Sequence, residues 1–228
     1  MDVALLKAYP VLWLAVIAFV VLIAWIAYGL LAVRGIEEPA YTVVETRSGY
    51  EVRRYAPHIV AETVVEGAYR TAMNEGFQRL AGYIFGGNTK RESVPMTAPV
   101  GMSGETIKMT VPVAERESID MTAPVMEESL SGARRVSFVM PSAYTLETLP
   151  IPTDTRVTLR AVPERLVAAR RFSTGMREEE ITALKQAFLT DVSRDGFTAL
   201  DAPEAAYYNP PWTPPFLRRN ELLVPVSR

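Results

Sequence analysis

The sequence predicts an α+β domain carried behind one membrane-spanning helix, and three observations predict it. An uncharged apolar run lies at the N-terminus. Behind it, short extended segments alternate with tight turn signals, and two amphipathic helical stretches each follow a pair of such segments.

Residues 11–33 contain no charge and are rich in Leu, Val, Ile and Ala. As a helix this run reaches about 34 Å, enough to cross a hydrocarbon core of about 30 Å with modest tilt. Trp13, Trp25 and Tyr28 are amphipathic aromatics, and those near the ends suit a membrane interface. The rival reading is a cleaved signal peptide, whose apolar region runs for about 7 to 15 residues and ends in small residues before the cut. Residues 30–33 match such a site poorly. The expectation is therefore an uncleaved single-pass anchor over residues 1–34 and one soluble domain over residues 35–228, long enough for one core and short for two. Lys7 and the amino terminus, offset by Asp2, nearly balance Arg34, followed by Glu37 and Glu38, across the span, and the expectation is an inside N-terminus with an extracytoplasmic domain.

From residue 41 onward, β-rich segments at residues 41–46, 50–55 and 59–65 are parted by Ser48-Gly49 and Ala56-Pro57, which reads as a meander. A helix follows over about residues 68–85, because Met73, Phe77, Leu80, Ala81 and Ile84 recur at three- and four-residue spacing before Gly86-Gly87-Asn88 stops it. Strand-like segments lie near residues 108–113 and 136–140. The opening pattern then returns with strands at residues 157–162 and 166–172 about Pro163-Glu164, followed by a helix over about residues 177–194. That second helix carries Glu178, Glu179 and Glu180 at its positive end and Asp195-Gly196 at its close. Adding 107 to Arg53, Ile59, Val60 and Ala61 reaches Arg160, Leu166, Val167 and Ala168, so two strand-strand-helix units are expected. A last strand is expected over residues 221–226.

Composition excludes several function classes. The chain has a net charge of −2, no cysteine and one histidine, His58. A general nucleic-acid binder needs excess Lys and Arg to neutralise phosphates, so none is expected. Thiolate ligation and cysteine catalysis are excluded, and without a GxSxG elbow, an HExxH pair or a Gly-rich phosphate loop no enzyme is expected.

Three motifs carry a resemblance. They are Tyr50-Glu51-Val52-Arg53-Arg54-Tyr55, the pentapeptide Met96-Thr97-Ala98-Pro99-Val100 repeated as Met121-Thr122-Ala123-Pro124-Val125, and the proline-rich run from Tyr208 through Trp212 and Phe216 to Glu221. Together they resemble the SOUL haem-binding family over almost the whole soluble part. The resemblance implies two βαβ-type pseudo-repeats that form a distorted antiparallel β-barrel flanked by two helices. It also implies reversible binding of haem or a related tetrapyrrole, for buffering, delivery or sensing. Family members proposed to ligate through histidine carry it where Arg54 stands here, which leaves Arg54 as a fork donor for a propionate and His58 as the axial candidate. Binding without an axial ligand, in an apolar groove near the first helix, brings in Met73 and Phe77. Met96 and Met109 are candidate pocket methionines, and Tyr208, Trp212 and Phe216 candidate pocket aromatics. Each also has a plain reading, as core for the methionines and Phe77 and as surface for Arg54 and His58. Two alternatives remain open: a module for another flat amphipathic molecule, and a membrane-displayed interaction domain with a vestigial pocket. The sequence names no protein partner.

Overall fold

The computed structural model describes residues 10–90, 116–172, 177–210 and 212–228. Met96, Met109, the first Met-Thr-Ala-Pro-Val repeat and the strand expected at residues 108–113 lie outside them. Helix α1 (Pro10–Leu31) comes first. Its Val11–Leu31 stretch, of mean hydropathy 2.7, is long and apolar enough to cross a membrane, and its side chains are almost wholly free of the sheet.

Behind α1 the chain runs β1 (Tyr41–Arg47), β2 (Tyr50–Tyr55), β3 (His58–Glu66), α2 (Tyr69–Ile84), β4 (Asn88–Thr89), β5 (Val125–Ser129) and β6 (Ala133–Val139). It continues through β7 (Ile151–Pro152), β8 (Thr158–Val162), β9 (Arg165–Phe172), α3 (Glu178–Arg194), β10 (Thr198–Ala199), β11 (Glu204–Tyr207) and β12 (Asn220–Ser227). The main sheet has the order β1-β2-β9-β12-β11-β5-β6-β3-β8, with β10 beside β12, and every pairing in it is antiparallel. The class is α+β, and the distorted barrel takes the form of a curled half-barrel with β1 and β8 as its edges.

The order is symmetric. Exchanging β2, β3, β5 and β6 for β8, β9, β11 and β12 reads the path from β2 to β8 backwards. The register keeps the offset of 107 seen in the sequence: Arg53 pairs Val167 while Arg160 pairs Val60, and Tyr55 pairs Arg165 while Val162 pairs His58. The consequence for the site is direct. Because β2 lies on β9 and β3 on β8, the β2–β3 and β8–β9 turns emerge side by side at one end of the sheet.

Each helix covers one half of the sheet, as its apolar stripe requires. On α2, Leu80, Tyr83 and Ile84 pack on Ala61, Val136 and Phe138. On α3, Phe188 and Val192 pack on Tyr50, Leu222 and Val224. At Gly76 α2 lies close on the sheet: a Cβ there would lie 2.6 Å from Val136 Cγ2 and 2.8 Å from its Cβ. Helix propensity favours alanine by about 1 kcal/mol, but overpacking against a stiff β-branched residue costs about 1–3 kcal/mol. Gly76→Ala is thus expected to lower the midpoint of thermal unfolding, followed by circular dichroism, by several degrees; a raised midpoint would show that α2 has room to shift.

Strands β5 and β11 have no counterpart in the sequence reading. Two adjacent acids, Glu127 and Glu128, hide β5, since charged residues rarely face a core. The fold supplies their partners. Lys185 Nζ from α3 lies 3.1 Å from Glu127 Oε2, and Arg134 Nη1 lies 2.7 Å from Oε1.

Candidate ligand-binding groove

A groove of about 650 Å³ opens where the two symmetric turns meet. One wall is the β2–β3 turn with His58 and Ile59, and the second is the β8–β9 turn with Ala161 and Val162. A third comes from the chain leaving β6, with Met140 and Leu146, and the linker of Glu37, Glu38, Pro39 and Ala40 completes it. The size falls within the range usual for small-molecule sites, and the walls are mainly apolar. Glu37 accepts the Ser142 N–H at 2.8 Å, and the Thr122 hydroxyl donates to the Val139 carbonyl, so two walls are tied together.

His58 is half-buried, and its Nδ1 sits 2.9 Å from the Ala56 carbonyl. A carbonyl only accepts, so Nδ1 carries the proton and Nε2 keeps the ring's lone pair. Burial pushes the His58 pKa below its ordinary 6.5, with Arg165 and Arg160 acting in the same direction against the Ala56 hydrogen bond. The imidazole is therefore neutral at pH 7. As the only histidine, it gives a single ring signal by NMR, expected to titrate below pH 6.5. The sign for stability follows: below pH 6.5 the unfolded chain takes up the proton first, so His58 costs stability as pH falls from 6.5 through the lower folded value. A midpoint at or above 6.5 would show that the ring is solvated.

Beside His58 lies Arg165, which lines a small side pocket with Tyr55 and Tyr208. Its guanidinium is 3.8 Å from Glu204, and its buried Nε has no hydrogen-bond partner among the described residues. Beyond that pocket is a buried network. Arg53 and Glu221, 1% and 0% exposed, meet with Nη1 2.7 Å from Oε2 and Nη2 3.3 Å from Oε1. Tyr208 donates to Glu221 at 3.1 Å, Arg53 to the Tyr55 hydroxyl at 3.3 Å, and the Arg219 guanidinium covers the Tyr208 ring at 3.9 Å. Burial works against both charges. The mutual hydrogen bonds nevertheless hold Glu221 below the ordinary carboxylate range and push Arg53 up.

The sequence candidates are not gathered in one place. His58 lines the groove, and Tyr208 lines the side pocket at its base. Arg54 is exposed on β2, 3.0 Å from Glu164 of the neighbouring turn. Met73 is partly buried between the α2 and α3 clusters. Phe77, 40% exposed, stacks edge-on against Phe138 at 5.3 Å. Trp212 and Phe216 are exposed on the loop before β12, away from the groove. The sequence reading missed Arg165, Ala161 and the wall after β6. Their signal was the offset of 107, which assigns Arg165 to His58, but adjacency of the two turns appears only once β2 lies on β9.

The model of the SOUL haem-binding protein family matches residues 36–225, the span that builds the sheet, both covering helices and the groove. The chain belongs to this family. Among curated proteins none matches its sequence. Solved structures with a similar fold include EcmrR in its complex with DNA, at 8% identity and a TM-score of 0.50, covering 78% of this chain and 57% of that one. The chain thus spans little more than half of EcmrR as present in that complex. Others are the EcmrR C-terminal domain, at 10% identity and 0.47 over 82% and 98% of the two chains, and a protein described as a hydrolase from Listeria innocua, at 12% and 0.47 over 81% and 94%. At these identities the likeness is one of fold.

The groove walls are mainly apolar and His58 presents a neutral ring nitrogen on them, while Arg165 lies behind the wall in the small side pocket.

Proposed function

We propose that this SOUL domain binds haem or a related tetrapyrrole reversibly in the groove between the two turns, and that α1 anchors it to a membrane with the domain on the extracytoplasmic side. The observation that carries this reading is the position of His58, the only histidine, in the wall of a mainly apolar groove with Nδ1 already committed to the Ala56 carbonyl. A backbone acceptor on Nδ1 is the arrangement that orients an imidazole for ligation through Nε2. Bound there, haem would supply the iron and its redox chemistry, and the protein an apolar slot and the ring nitrogen of His58. The role is binding and release without turnover, for buffering, delivery or sensing.

Titrating the detergent-solubilised chain with haemin tests it. A saturable one-to-one Soret shift is expected, with position and affinity both altered in His58→Ala. A shift unchanged by that substitution removes His58 from the site, and no saturable shift removes haem.

A second reading has its own observation. Glu37, Glu38 and Glu147 stand around the groove, an acidic rim that suits a flat cation better than a dicarboxylate. Competition of planar cations against haemin separates the two ligands.

A further inference from the structure

The loop over residues 209–219 is bound to α1, not only to the sheet. Trp25 Nε1 donates to the Trp212 carbonyl at 2.8 Å. Four residues on, Gly29 is the one buried residue among positions 11–31, and a Cβ there would lie 2.9 Å from Pro214 Cδ. The loop is also braced internally, by Arg218 Nε on the Thr213 carbonyl at 2.8 Å and by the Arg219 N–H on Asn209 Oδ1 at 2.6 Å. Proline fixes its backbone further at residues 210, 214 and 215. Yet this rigid loop leaves Trp212 55% and Phe216 65% exposed.

Depth decides what those two side chains face. Trp25 is six residues before the end of α1, which is about 9 Å down the helix axis. The headgroup layer on each side of a hydrocarbon core is about 5–8 Å thick. With Leu31 at the outer edge of the headgroup layer, a loop hydrogen-bonded to Trp25 about 9 Å below it reaches the boundary between headgroups and hydrocarbon. Aromatic rings are favoured there, whereas in water two exposed rings on a braced loop gain nothing.

We propose that Trp212 and Phe216 form a wedge inserted into the lipid interface beside α1, a second membrane contact that fixes how the domain sits on the bilayer. This rests on the reading of α1 as a membrane span. The consequence for ligand access is specific. Arg219 Nη1 holds both oxygens of Glu38 at 2.9 Å, and Glu38 belongs to the linker that walls the groove. The wedge therefore holds the groove close to the membrane surface, where an apolar ligand dissolved in lipid reaches it without crossing water.

The chain has no cysteine, so single-site labelling is clean. Full-length Phe216→Cys and Leu200→Cys variants are labelled with an environment-sensitive fluorophore in liposomes of phosphatidylcholine and phosphatidylglycerol. Leu200 is the control, an exposed apolar residue bonded to Pro225, about 17 Å along β12 from its loop end at Asn220. The position-216 label is expected to be blue-shifted and quenched at least twofold by lipids bearing a shallow nitroxide, and the position-200 label by aqueous iodide only. A position-216 label quenched by iodide alone, on a chain that floats with the vesicles, overturns the wedge and leaves the anchor standing. One shielded from both quenchers places the loop against protein and also overturns it. A chain that does not float overturns the anchor, and the wedge with it.

Discussion

Replacing Glu221 with alanine is expected to lower the thermal unfolding midpoint by about 10 °C or more, the largest single effect on stability anticipated for this chain. The substitution takes from Arg53, 1% exposed, its buried bidentate partner and leaves it only the half-exposed Glu51 carboxylate, 2.8 Å from its Nε, and it also removes the acceptor of the Tyr208 hydroxyl. Stranding one charge of a buried pair costs about 3–5 kcal/mol, and each kcal/mol moves the midpoint of a domain of this size by about 2–4 °C. Replacing both partners together, as Arg53→Met with Glu221→Leu, is expected to recover most of the loss, because no buried charge is then left alone. A single variant that melts within 3 °C of the parent would show that Glu51 is enough to compensate Arg53. The pair also sets an acid limit. Because the Glu221 carboxyl is held below its ordinary 4.5, its contribution is present above that value and is lost as pH falls through the lower folded pKa.

Filling the groove is expected to have the largest effect on binding. Ala161 lines it from the exposed edge strand β8, so Ala161→Trp puts an indole where a flat ligand would lie without disturbing the buried core. Haemin affinity should fall at least tenfold, about 1.4 kcal/mol, with circular dichroism and melting unchanged. If Ala161→Trp leaves the titration as it was and Phe77→Ala on α2 is the variant that weakens it, the ligand lies on the first helix and not between the turns.

The motifs that made the family legible turn out to describe the core more than the groove. Arg53, Tyr55, Tyr208 and Glu221 come from opposite ends of the domain and meet in one buried network. A pattern of such residues is tightly specified because each must satisfy the others. Contacts in the groove are looser: an alanine, a leucine or a methionine there differs little in sequence from the same residue anywhere else. His58 shows the difference. As a lone histidine after Ala56-Pro57 it reads as a turn residue, and only the neighbouring β8–β9 turn and the chain leaving β6 enclose it.

Local chemistry in the sequence determined both covering helices and the strands on either side of the two turns: apolar periodicity placed each helix within one residue of its ends, and turn residues at 56–57 and 163–164 parted β2 from β3 and β8 from β9. Tertiary structure alone decided three things. It made Glu127 a strand residue by bringing Lys185 and Arg134 to it, and it joined two turns and a linker into a groove. It also set the proline-rich loop against Trp25 and Gly29 of α1. The reason is common to all three: periodicity reports which face of an element is buried, whereas charge compensation, concavity and docking depend on which distant segment arrives there.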